Sequence, residues 1–179
     1  MDIAFTTDPQ LANTGLLLAR VVIGLLMAAH GAQKLFGWFG GYGLNATGEF
    51  LVQLGFPSGR FFATLSALGE FGSGLLIALG FLGPIGPALM VASMLVAMLT
   101  VHRGKGLFAM TNGIELPLLY AIGGIALSFI GFGRYSLDAV FGLTELWTRP
   151  VIFVVLSLGV LGALANLAIR RTPPRSAVA

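Results

Sequence analysis

The chain has 179 residues, of which 56% are hydrophobic and 9% charged, with a formal net charge of +3. An average soluble domain carries about 25% charged residues, and a globule of this size could not cover so much apolar surface with so few charges. Composition therefore excludes an ordinary soluble enzyme, a disordered chain and a nucleic-acid binder, and it makes lipid the expected solvent.

In chain order, the sequence opens Met1-Asp2-Ile3-Ala4 without the positive region of a secretory signal. The first apolar segment is expected to stay as a span. A crossing needs about 20 mostly apolar residues, and residues 14–36 meet this, interrupted by Arg20. Residues 37–59 are rich in Gly, Trp, Tyr and Phe and carry little charge. They predict a loop at the membrane interface, where Trp and Tyr sit well. The second segment, 61–82, contains Glu70, and no charge follows from Phe71 to Val101. As one helix that stretch would be about 46 Å long, too long for a single crossing. The cluster Gly83-Pro84-Ile85-Gly86-Pro87 predicts a tight hairpin, so the third segment is 84–102. The fourth is 113–132 and the fifth 150–169. All five are expected to be helices, because a spanning segment must satisfy its backbone internally. Residues 170–179 read as a polar tail. No internal repeat and no soluble domain is evident.

With five spans, Lys34, Arg60, Arg103, Lys105, Arg170, Arg171 and Arg175 fall on one side. Arg134 and Arg149 fall on the other, joined by Arg20 as a snorkelling anchor or an internal ion-pair partner. The excess of basic residues predicts an inner-membrane protein with its N-terminus outside and its C-terminus in the cytoplasm.

The few ionisable groups within apolar runs are costly there and point to function. His30 and Lys34 are four residues apart and share a helix face. Glu70 lies about 14 Å into its segment, near mid-bilayer. Ser66 and Gly74, one turn to either side, predict that its face turns toward other helices. His102 ends the third segment. Asn112-Gly113-Ile114-Glu115 has the spacing of a capping box, which gives Glu115 a structural reading beside a functional one. Both histidines, Lys34, Glu70, Asn112 and Glu115 are thereby expected in one half of the membrane.

Three chemistries suit that set. One is a quinone or a similar apolar redox molecule, hydrogen-bonded by His or Lys, with a carboxylate relaying protons. A second is a metal or haem. A bis-His haem would consume both histidines, and no H-x-x-E or E-x-x-H spacing supports a carboxylate–histidine metal site, so no metal ligand is assigned, haem is not expected, and quinone is the one cofactor candidate. The third is proton or solute movement through a small carrier. There is no Cys, which removes thiol redox chemistry and Cys-ligated metals.

The run from Leu18 to Gly37, with Arg20, Gly24, His30-Gly31 and Gln33-Lys34, resembles the first helix of the DoxX family of small membrane proteins. Glu70, Gly72, Gly74 and Gly80-Phe81-Leu82-Gly83 resemble its second helix. His102, Phe108 and Asn112-Gly113-Ile114-Glu115 are similar to its third-to-fourth connection, and residues 131–138 to its closing motif. The resemblance covers about 15–138 and implies an all-α, polytopic membrane protein. Its four-helix transmembrane core would occupy 14–138, with 150–169 as an added transmembrane helix. It further implies an oxidoreductase or a subunit of a membrane redox assembly, in a family linked to quinone-dependent sulfur oxidation and oxidative-stress defence.

The leading expectation is a quinone-binding redox protein. Glu70, His30 and His102 are its catalytic residues, and Lys34, Asn112 and Glu115 its ligand-binding ones. Expected partners are membrane lipid and a redox protein that supplies electrons, not nucleic acid; a homo-oligomer is compatible with this. The alternatives are a non-catalytic membrane anchor for a soluble redox enzyme and a small proton-coupled carrier.

Overall fold

The computed structural model describes residues 8–171. Most of the polar tail, including Arg175, lies outside the described residues, as do the first seven positions. The described residues form seven α-helices and no strand. These are α1 (Pro9–Phe36), α2 (Gly43–Gln53), α3 (Gly59–Leu79), α4 (Ile85–Thr100), α5 (Glu115–Ile130), α6 (Leu137–Val140) and α7 (Arg149–Ala168). By length and composition α1, α3 and α7 can cross a membrane, while α4 and α5 are shorter apolar helices. The five apolar segments of the sequence correspond to these five helices.

Local chemistry sets their ends. The Asp8 side chain accepts from Gln10 N–H at 2.8 Å, and Pro9 occupies the first turn of α1, where a missing N–H costs little. Gly37 closes α1 at φ 73°, and Gly80 closes α3 at φ 65°, a left-handed conformation that favours glycine. The hairpin between α3 and α4 falls slightly earlier than expected. The turn occupies residues 80–84, and Gly86 and Pro87 lie inside the first turn of α4, where proline is tolerated.

One expectation fails outright. Residues 37–59 are not all loop, because residues 43–53 form α2. Its two glycines weaken an isolated helix by about 1 kcal/mol each. Packing explains why Gly48 is used there: a Cβ on it would sit 3.1 Å from Gly59 C and Arg60 N. The glycine lets α2 lie directly against the start of α3.

Helix α1 packs most extensively on α3. Gly24, Met27, Ala28, Gly31 and Ala32 are buried on one face of α1, while Leu18, Val22 and Leu25 are exposed on the other. A Cβ on Gly24 or Gly74 would overlap backbone of the facing helix, so the two backbones meet through small residues. Helix α4 sits between α3, α5 and α7. Met27, Ile77, Met90, Met94, Ala121, Leu127 and Phe132 form the buried core.

One end of this body is closed by buried polar groups. The Asp138 carboxylate accepts from Leu82 N–H at 2.8 Å, Gly83 N–H at 2.7 Å and the Trp147 indole at 2.8 Å. Asp138 N–H in turn donates to Gly80 O at 3.0 Å. Arg20 is 2% exposed and donates to the carbonyls of Ala78 and Tyr135. It is not a snorkelling anchor, and among the described residues it has no ion-pair partner. Ala78 lies in the last turn of α3, where carbonyls have no helical donor, and the guanidinium supplies one.

Candidate functional site

The opposite end is built differently. Helix α1 presents His30 and Lys34, and α3 presents Ser66 and Glu70, each pair one turn apart. The close α1–α3 approach brings these faces together. Lys34 Nζ forms an ion pair with Glu70 Oε1 and donates to Ser66 Oγ at 3.0 Å. Ser66 Oγ also donates to Glu70 Oε1, at 3.5 Å. Glu70 is 3% exposed, and its second oxygen, Oε2, is buried without a hydrogen-bond partner among the described residues. A bare carboxylate oxygen away from water is expensive and calls for a donor.

Glu70 lines a cavity of about 820 Å³. That is a volume typical of sites for small organic ligands. His30, Lys34, Ser66, His102, Asn112 and Tyr120 also line it. Apolar walls come from Phe50 of α2, Phe62 and Leu65 of α3, Leu89 and Val96 of α4, and Val155 and Leu158 of α7. Five of the six sequence-derived site residues therefore meet around one space: His30, Lys34, Glu70, His102 and Asn112. Glu115 is absent from that lining.

His30 is exposed and packs edge-on to Tyr120, with ring centroids 5.8 Å apart. His102 lies two residues past the end of α4, in the connection to α5. Its Nδ1 is 2.7 Å from Asn112 O. A carbonyl can only accept, so Nδ1 carries a proton, and in the neutral ring Nε2 is left as the acceptor. Asn112 is left-handed at φ 59°, which turns its carbonyl to His102. The capping box does not form. Helix α5 begins at Glu115 itself, and Glu115 Oε2 accepts from Ala109 N–H at 2.7 Å, pinning the connection rather than capping Asn112.

Sequence reasoning missed Tyr120, Asn166 and the contribution of α7. Tyr120 and Asn166 each put a polar tip inside an apolar run, and that interruption was the available signal. Among the described residues no three His, Cys, Asp or Glu side chains gather as a metal site would require.

The DoxX family model matches residues 15–103, about half of the chain. This is a DoxX-family membrane protein. The DoxX match spans α1 to α4 and includes His30, Lys34, Glu70 and His102. It stops before Asn112, Glu115 and Tyr120, and before α7. Comparison with curated proteins and with solved structures gives no match.

Proposed function

We propose that this DoxX protein crosses an inner membrane five times and binds a quinone or a similar small apolar redox molecule in the cavity. We assign it the role of an oxidoreductase or a subunit of a redox assembly. The observation that carries this reading is the buried Glu70 carboxylate, held on one oxygen by Lys34 and Ser66 and bare on the other, at the wall of an apolar cavity with two histidines.

The span count has its own support. Helix α4 starts beside the turn clamped by Asp138 and ends beside His102, so it runs between the two ends of the body. Its 16 residues cover about 24 Å. Flanking apolar residues and local thinning of the bilayer make up the difference from the roughly 30 Å core. Basic residues at the cavity end, among them Arg60, Arg103, Arg170 and Arg171, support a cytoplasmic location for that end.

A quinone supplies paired electron and proton transfer when bound. The protein's own residues handle the rest. Glu70 exchanges a proton at Oε2, while Lys34 and Ser66 hold Oε1 and fix the carboxylate. His30 and His102 hydrogen-bond the head of the molecule and pass protons on. The apolar walls take its body and keep water out. These side chains move protons and not electrons, so the electrons come from a partner protein. Glu115 serves the α4–α5 connection.

The test is lipid extraction and an absorption spectrum of the purified protein, followed by binding of a short-chain quinone in nanodiscs. Co-purified quinone and saturable binding are expected. A Soret band, or no binding of either redox form, overturns the reading. The Lys34–Glu70 pair joining α1 to α3 favours a second reading, a structural lock in a non-catalytic anchor for a redox enzyme. On that reading Glu70→Ala lowers stability or recovery of the complex and leaves ligand binding unchanged.

A further inference from the structure

Resting on the quinone reading of the cavity, we infer that the site recognises the reduced, dihydroxylated head in preference to the oxidised, dicarbonyl one. Glu70 Oε2 has no partner, and a carboxylate oxygen in its charged form can only accept. His102 has its Nδ1 proton committed to Asn112 O at 2.7 Å, which leaves Nε2 to accept. Two side chains on the cavity therefore ask for hydrogens. A quinone carbonyl brings only lone pairs, and a carbonyl set against a carboxylate is repelled. A quinol hydroxyl brings the missing proton.

The donors present do not reverse this preference, because a hydroxyl oxygen accepts from His30 or from the Asn112 and Asn166 amides as a carbonyl oxygen does. Lys34 already gives protons to Glu70 and Ser66, and its third N–H is satisfied equally by a hydroxyl or a carbonyl oxygen. Tyr120 can donate or accept through its own hydroxyl. A hydroxyl head therefore loses nothing at the donors and gains at the acceptors. Leaving one buried acceptor unpaired corresponds to a loss of about tenfold in affinity.

The experiment uses the full chain in nanodiscs, kept anaerobic, with empty nanodiscs as the partition baseline. Three probes with the same tail are titrated by calorimetry: decylubiquinol, decylubiquinone and the dimethyl ether of the quinol, which keeps the shape but has no donor. The quinol is expected to bind at least about tenfold more tightly than either of the others. Glu70→Gln should lower the quinol-to-quinone ratio several-fold, because the amide can donate to a carbonyl while the His102 acceptor remains. Equal binding of quinol and quinone to the wild type overturns the preference and leaves the quinone reading standing. Tighter binding of the ether than of the quinol also overturns it. Binding of none of the three removes the quinone reading itself.

Discussion

The two ends of this molecule treat a buried carboxylate in opposite ways. At one end Asp138 meets three donors on its two oxygens, and Arg20 meets two carbonyls through its terminal nitrogens while its Nε has no partner among the described residues. Those groups join segments far apart in sequence and leave neither carboxylate oxygen without a donor. At the other end Glu70 has one oxygen held and one empty, beside a cavity more than twice the volume of the roughly 350 Å³ one at the Asp138 end. A satisfied carboxylate braces a fold. A half-satisfied one stores a demand that a ligand can meet. Position within a helical segment does not separate these roles, but the count of partners does.

The contrast predicts a graded series of effects. Asp138→Ala strips the acceptor from Leu82, Gly83 and Trp147, and is expected to cost at least about 3 kcal/mol. This should appear as a large fall in the thermal unfolding midpoint in detergent, with quinol affinity of the remaining folded protein unchanged. A loss of affinity as large as the loss of stability would erase the distinction between the ends. Arg20→Met leaves the Ala78 and Tyr135 carbonyls without their donor. It should cost about 2 kcal/mol by the same measurement, again with binding intact. Glu70→Gln should move stability by no more than about 1 kcal/mol, because Lys34 keeps about a third of its side chain exposed and can rehydrate. Its effect belongs in binding, where the preference for the reduced head shrinks several-fold. Glu115→Gln sharpens the picture from the other side. It weakens only the bond to Ala109 N–H, so stability should shift by under about 0.5 kcal/mol and titration of decylubiquinol should match wild type.

Much of this was legible in the sequence, for physical reasons that also show where legibility stops. The five apolar helices announce themselves because lipid demands long uncharged runs. The inward face of Glu70 could be read because Ser66 and Gly74 are too small to be useful against lipid. The convergence of His30, Lys34 and Glu70 followed from helix periodicity. By contrast, α2 was hidden because its glycines argue against a helix, and only the backbone of α3 explains Gly48. Arg20 looked like an anchor because a sequence does not show which carbonyls a neighbouring helix leaves unpaired. The Asp138 clamp depends on contacts across more than fifty positions, which no local pattern encodes. Glu115 had the right spacing for a cap, yet the left-handed turn at Asn112 redirected it to Ala109. The wall formed by α7 was missed because its apolar residues look the same whether they face lipid or a cavity.

The glycine seam between α1 and α3 bears on the charge pair as well as on packing. Gly31 lies one turn before Lys34, and a Cβ there would collide with the backbone of Phe71, the residue after Glu70. A methyl group at that position has no charge and forms no hydrogen bond. It would still weaken the ion pair, by pushing apart the two main chains that carry it. The electrostatics of this protein are therefore tuned at a position with no side chain, and the distance between its two central charges is governed by one missing carbon.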